Sequence, residues 1–245
     1  MNKPTPLKIW IGYDEAEHSA AMVCAESVRR ATNGEIEPTF LKQDVLRACG
    51  LYTRPETRKG AQRWDTISDA PCSTAFSLTR FLTPILAQSG YALFIDCDMV
   101  VYSDPRDMIT EANMRSDDWA LACVKHRRYT PAEKTKMMGL RQTAYRRKNW
   151  SSVMLFNCDN PGMSALSLDD VNRKTGSYLH QLDWMDDDMI VGLNDSWNQL
   201  VGVRPTIRAE GIVHFTNGGP WFEGWPGGPY DQLWLDAAAS MGLAP

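Results

Sequence analysis

At 245 residues, with 43% hydrophobic and 23% charged content, the chain has the make-up of a globular protein, which excludes disordered and fibrous classes. Lys plus Arg number 26 against 30 Asp plus Glu, so the formal net charge of −4 gives no global attraction for a polyanion. The opening MNKPTPLKIWIGYDE lacks the apolar run and small-residue cleavage site of a secretory signal, and Asp96 and Asp98 interrupt the apolar stretch Tyr91–Tyr102. The expectation is a cytoplasmic protein with no transmembrane segment. Six cysteines (Cys24, Cys49, Cys72, Cys97, Cys123, Cys158) stand singly, without CxxC spacing, and read as reduced, mostly buried thiols.

In chain order, Leu7–Tyr13 (LKIWIGY) is a β-branched and aromatic run that reads as a strand. Ala16–Arg30 repeats Ala20, Val23, Cys24, Ser27 and Val28 at helical spacing, and Glu37–Leu41 reads as a second strand. Gln43–Thr66 is polar and aperiodic, a loop with some helix. Ser73–Gln88 places Phe76, Leu78, Phe81, Leu82, Ile85 and Leu86 at mostly three- and four-residue intervals, predicting a core helix capped by Ser73 and kinked at Pro84. Tyr91–Tyr102 (YALFIDCDMVVY) predicts a buried parallel strand that meets two carboxylates at its end, where open α/β sheets bind ligands. Ala120–Val124, Ser152–Asn157, Val201–Pro205 and Gly211–Phe215 predict further strands, and Gly and Pro crowd the aromatic loop 216–230. The fold class is α/β, expected as a single domain over 1–245.

The sharpest chemical feature is Asp96-Cys97-Asp98. In extended backbone the two acids share a face while Cys97 points away. Two neighbouring carboxylates stay ionised cheaply only beside a cation, and a divalent metal is the natural one. The competing role for such acids is capping nearby amides. His214, at the end of Gly211–Phe215, is either a core histidine or a third ligand, and imidazole beside carboxylates shifts the preference from Mg²⁺ or Ca²⁺ toward Mn²⁺. Gly218 and Gly219 would let backbone amides approach an anionic oxygen.

IWIGYDEAEHSAAMVCAESVRR, FSLTRFLTPILA, YALFIDCDMVVYSDP, NWSSVMLFNC, Asp186-Asp187-Asp188 ahead of Trp197-Asn198, and HFTNGGPW occur in this order between Ile9 and Trp221. Together they resemble the landmarks of nucleotide-sugar glycosyltransferases of the GT-A fold, in particular retaining glycosyltransferase family 8, the glycogenin and lipopolysaccharide galactosyltransferase group. The resemblance implies a Rossmann-like, mostly parallel mixed sheet flanked by helices, a UDP-sugar donor, and Mn²⁺ or Mg²⁺. It implies that Gly12, Tyr13 and Asp14 hold uracil and ribose, and that Arg80 reaches toward the donor. Asp96, Asp98 and His214 would bind the metal, Cys97 would lie among the donor-binding residues, and Asn157 would shape the sugar pocket. Two departures stand out. Asp187 occupies the family's Gln position, and Gly219 precedes Pro220 where the family has a diphosphate-binding Lys, leaving Arg204, Arg208 or the basic segment as replacements.

The residue types support the same chemistry. A divalent ion stabilises a departing diphosphate, and a carboxylate near the anomeric carbon stabilises an oxocarbenium-like centre or attacks it. Asp187 is the first choice for that carboxylate and Asp188 the second; the other reading of 186–188 is a solvated helix start. Lys125–Lys148 carries nine basic residues against one acid, Glu133, and with Tyr129, Tyr145 and Trp150 interleaved it is either a solvated face or the site of an anionic acceptor. A phosphorylated glycolipid or polysaccharide fits, and so does nucleic acid bearing a hydroxymethylated base. Two other readings are a catalytically degenerate nucleotide-sugar binding module and a metal-dependent phosphoryl-transfer enzyme. The latter would more comfortably carry GxxxxGK[ST], which the chain lacks.

Overall fold

The computed structural model describes residues 5–60, 62–126, 147 and 149–242; most of the basic segment, 127–146 and 148, lies outside the described residues. Strand β1 (Leu7–Gly12) leads through a 3-10 turn into helix α1 (His18–Ala31). The buried stripe of α1 is made of small residues, Ala20, Ala21, Cys24, Ala25 and Ser27 among them, which lets its backbone approach the sheet closely. Next come β2 (Thr39–Leu41), α2 (Gln43–Ala48), β3 (Glu56–Lys59), β4 (Gln62–Asp65), β5 (Ala70–Cys72) and α3 (Thr83–Ala87). The chain continues through β6 (Tyr91–Ile95), β7 (Met99–Val101), α4 (Asp107–Arg115), β8 (Leu121–Cys123), β9 (Val153–Asn157), α5 (Leu168–Arg173) and α6 (Gly176–His180). It ends with β10 (Ile190–Gly192), β11 (Gln199–Leu200), β12 (Ile212–His214) and α7 (Asp231–Ser240).

Six strands form the central sheet in the order β10-β8-β9-β6-β1-β2, parallel except for β9, which runs antiparallel to β6 and β8. This is the mixed, mostly parallel sheet that the resemblance to GT-A glycosyltransferases implies. Ala92 to Ile95 of β6 are fully buried, as expected of a strand covered on both faces. A second sheet, β11-β12-β7, stands against α1 and α7, and a third, β3-β4-β5, is a small antiparallel meander. Ser27 of α1 accepts a hydrogen bond from Val101 N at 2.9 Å, tying that helix to β7. Among the described residues no helix is long and apolar enough to cross a membrane. All six cysteines are free; Cys24, Cys72, Cys97 and Cys123 are buried, and Cys49 is exposed.

Four local expectations change. Tyr91–Tyr102 is two strands in two different sheets, broken at Asp96–Asp98 where the chain bends from one sheet to the other. The Ser73–Gln88 helix shrinks to a 3-10 turn, Thr79–Leu82, followed by α3. Pro84 sits in the first turn of α3, where its missing N–H costs nothing, so it starts the helix rather than kinking it. Gln43–Thr66, expected as loop with some helix, contains that helix as α2 but also the β3–β4 hairpin. Val201–Pro205 is a turn with Gly202 at φ +76°, and the strand lies just before it in β11.

The polar meander is anchored by Arg54 and Asp65, both fully buried. Arg54 Nε donates to Asp65 Oδ1 at 2.8 Å and its second nitrogen to Oδ2 at 2.7 Å, while Arg54 also reaches Val171 O at 3.0 Å. Burial opposes the Asp65 charge, but hydrogen bonds from Arg54 and Ser68 outweigh it and hold the carboxyl below its usual range. A depressed folded-state pKa contributes stability above the unfolded value of about 3.9 and loses it as the pH falls through the folded value. Arg54→Met alone should cost about 3–5 kcal/mol in urea unfolding at neutral pH, with much of the loss recovered by adding Asp65→Leu. A single-variant loss below about 1 kcal/mol would show that the pair is not the anchor.

Candidate metal centre

The bend at Asp96–Asp98 brings three ligand types together. Asp96, Asp98 and His214 are all buried, and one ligand atom from each lies within 4.8 Å of the other two. His214 comes from β12, whose antiparallel register with β7 pairs His214 with Met99, and Phe215 N donates to Asp98 O at 2.9 Å. His214 Nε2 faces Asp98 Oδ1 at 3.3 Å. On the other side, Arg80 lies 2.9 Å from Asp96 Oδ1. Its guanidinium also donates to Ser77 O at 3.1 Å and Ser151 O at 2.8 Å, and it lies beside the paired rings of Phe76 and Phe94, 5.4 and 5.0 Å from their centroids. Thus Arg80 pairs its positive charge with Asp96. Two oxygen donors and one imidazole nitrogen, converging in a buried site, fit a divalent metal ion.

Cys97 points away from the acids into the core, and burial, then nearby acids, push its thiol pKa well up, so it stays protonated. Gly12 is required by packing, since a Cβ there would lie 2.4 Å from the Phe76 ring. Tyr13 shares a hydrogen bond of 2.9 Å with His18 Nδ1, packs edge-on against Phe40, and carries the Lys42 ammonium 4.7 Å above its ring. The Asp14 carboxylate accepts from Ala16 N at 3.1 Å and Ala75 N at 2.7 Å, fastening the end of β1 to the segment before Phe76.

Other predicted site residues have partners of their own. Asn157 pairs with Tyr91 while Val153 pairs with Ile95, so Asn157 sits at the opposite end of β6 from Asp96, where its side chain donates to Trp119 O at 3.2 Å. Among the described residues, Asp187 and Asp188 do not join the metal-type cluster. They lie in the turn that enters β10, and the Asp187 carboxylate pairs with Arg147, which also donates to Gln181 O at 2.8 Å. Gly218 has φ +105° and donates its N–H to Phe215 O at 2.8 Å. Gly219 leaves room for Trp221, whose ring would be 2.2 Å from a Cβ at that position. Arg204 donates to Asp195 O at 2.8 Å, and Arg208 lies 3.9 Å from Glu210. His126, at the start of the basic segment, has its pKa lowered to about 4, by burial first and then by His214, and is neutral near pH 7.

Three residues gain a place that the sequence does not reveal. Asn149, Ser152 and Asn198 form a hydrogen-bonded group behind His214, with Ser152 O accepting from Asp96 N at 3.1 Å. Their signal in sequence is faint: polar residues next to apolar runs, with partners far away in the chain.

No family model matches the chain. Protein CDI of Arabidopsis thaliana is 39% identical over 237 residues, which cover 94% of this chain and 85% of that protein. The chain belongs to the Protein CDI family. Among solved structures, the galactosyltransferase LgtC in complex with donor and acceptor sugar analogues aligns with a TM-score of 0.56 and 12% identity over 97% of each chain. The bifunctional glycosyltransferase WbbM gives 0.55 and 12% over 97% of this chain, which spans only 53% of the WbbM chain. The glycosyltransferase GlyE of Streptococcus pneumoniae TIGR4 gives 0.55 and 12% over 95% of this chain and 61% of its own. At these identities the likeness establishes the fold of GT-A glycosyltransferases, as the sequence landmarks imply.

The approach of β12 to the 195–198 turn depends on Gly211. It has φ +59°, and a Cβ there would lie 2.1 Å from Ser196 O, a backbone atom that cannot move aside alone. Gly211→Ala should therefore destabilise the protein by more than about 2 kcal/mol, combining left-handed strain with the clash. An unchanged melting temperature would contradict this packing.

Proposed function

We propose that this protein is a metal-dependent glycosyltransferase that moves a hexose or pentose from a UDP-sugar to an anionic acceptor with retention of configuration. The observation that carries the proposal is the convergence of Asp96, Asp98 and His214 at the bend where the chain leaves β6 on a GT-A-type sheet. The printed activities of the structural neighbours, which include a galactosyltransferase complexed with donor and acceptor sugar analogues, point the same way.

Asp96, Asp98 and His214 would hold Mn²⁺ or Mg²⁺, and three protein ligands leave further positions for diphosphate oxygens. When bound, such an ion supplies Lewis-acid stabilisation to a diphosphate leaving group. Arg80, 2.9 Å from Asp96 Oδ1, orients that carboxyl group before any donor arrives. Tyr13 and Lys42 offer an aromatic face and a positive charge beyond the end of β1, in support of nucleotide binding through Gly12, Tyr13 and Asp14. For the carboxylate that supports an oxocarbenium-like centre we assign Asp187 over Asp188. Its pairing with Arg147 ties it to the stretch leading into Trp150–Ser152, beside Arg80 and Asp96.

For the acceptor, Lys125 Nζ and the Arg147 guanidinium lie 5.7 and 5.3 Å from the Trp150 ring centroid, combining positive charge with a stacking face. This supports an acceptor with both a sugar-like or base-like ring and negative charge. A phosphorylated glycolipid or polysaccharide is the first assignment, and a hydroxymethylated nucleic-acid base the second.

Two experiments test the proposal. Mn²⁺ with a UDP-sugar should raise the melting temperature of the wild type and release UDP, and Asp98→Ala should abolish both effects while retaining the fold. A wild type that binds the donor but neither transfers nor hydrolyses it would be a degenerate binding module. Asp187→Asn should lower kcat by at least about 100-fold with little change in donor affinity, as for loss of a group acting in the transition state; near-normal kcat would remove Asp187 from the chemistry.

A further inference from the structure

His214 is useful as a ligand only if the ring nitrogen facing Asp98 carries a lone pair. That nitrogen is Nε2, and which nitrogen of a neutral imidazole bears the proton is decided by the hydrogen bond at the other one. At Nδ1 the partner is Asn198 Oδ1 at 2.9 Å. A carboxamide could present either its oxygen or its nitrogen there, with opposite consequences for the ring.

The surroundings of Asn198 settle which end it presents. Its Nδ2 lies 3.2 Å from Asn149 O, a backbone carbonyl that can only accept, and 2.9 Å from Ser152 Oγ. Ser152 Oγ gives its own proton to the same Asn149 carbonyl at 2.8 Å, so toward Asn198 it acts as acceptor. Two acceptors therefore hold the amide nitrogen. Turning the amide over would set its oxygen against the Asn149 carbonyl in a fully buried place, leaving two lone pairs opposed. With Oδ1 directed at the ring, Nδ1 must donate and Nε2 is left bare toward the acids.

We propose that Asn198 is a positioning residue that fixes His214 as the Nδ1–H tautomer and thereby aims the Nε2 lone pair at the Asp96–Asp98 site. The proposal rests on the reading of Asp96, Asp98 and His214 as an ion-holding group, and it adds a part that reading does not contain. Ser152 couples the two halves of the site. Its carbonyl accepts from Asp96 N at 3.1 Å while its hydroxyl orients Asn198, so one residue ahead of β9 registers both the acid and the imidazole arms. Asn198 itself is set by the backbone, because it ends the 3-10 turn Asp195–Asn198 and leads directly into β11, where Leu200 pairs with His214.

The test is nitrogen-15 NMR of the imidazoles in the full-length, metal-free protein in mildly alkaline buffer, joined to Mn²⁺ titration followed by electron paramagnetic resonance. In the wild type, His214, assigned by comparison with His214→Gln, should show a protonated Nδ1 and an unprotonated Nε2. The opposite tautomer overturns the proposal without any need for a further variant. Asn198→Ala should lose the tautomer preference and bind Mn²⁺ about 10–100-fold more weakly, the usual effect of removing a ligand's supporting hydrogen bond. Ser152→Ala, which leaves the Asn149 carbonyl in place, should show a smaller change in the same direction, and it carries the comparison if Asn198→Ala does not fold. Unchanged tautomer and Mn²⁺ affinity in a folded Asn198→Ala, or in Ser152→Ala where that variant stands in, overturn the proposal. A wild type with the expected tautomer but no Mn²⁺ binding would instead overturn the ion-holding reading and leave the role of Asn198 in orienting the ring intact.

Discussion

Everything at the candidate centre depends on burying two carboxylates at the point where the chain passes from one sheet to another. Desolvating a carboxylate costs several kcal/mol even after relaxation, and two in contact add their mutual repulsion. Arg80 offsets the cost for Asp96, at 2.9 Å and beside two phenylalanine rings. Asp98 faces a neutral-capable imidazole across 3.3 Å. Two carboxylates and an imidazole converging within 4.8 Å in a buried seam make the ligand set of a divalent ion, which is the physical reason to read it as a cation site.

The fold serves that arrangement. Strand β6 ends at Ile95, the next three residues bend, and β7 starts the second sheet at Met99, so the acids fall in the seam between two sheets rather than along one strand. Pairing of β7 with β12 delivers His214 to the same seam from more than a hundred residues away. The turn Trp150–Ser152 then closes the back of the centre, with Ser151 holding Arg80 and Ser152 holding Asp96 and Asn198. Chemistry and architecture share the same few hydrogen bonds.

What the sequence reveals is set by how local the causes are. Strands β1, β6 and β9 and helix α1 follow from apolar runs and periodicity, and the DxD with its distant histidine follows from residue type and order. The break at Asp96–Asp98 does not, because MVV after the acids continues an apolar run whose partner, β12, cannot be seen locally. The β3–β4 hairpin is hidden for a similar reason: ETRK and QRWD have no apolar stripe, and their place is fixed by the buried pair Arg54–Asp65 and by contacts to Val171. Ser73–Gln88 has helical periodicity, yet Pro84 can only begin a helix, and the turn before it is committed to directing Arg80. Asn198 is a landmark in the sequence but its role is not, since its partners lie 16, 46 and 49 positions away.

The most direct measurement is anomalous diffraction at the manganese edge from crystals of the protein grown with Mn²⁺ and UDP. The account predicts a peak in the seam between the sheets, within bonding distance of Asp96, Asp98 and His214 Nε2. Absence of any peak there, or a peak coordinated without His214, would contradict it.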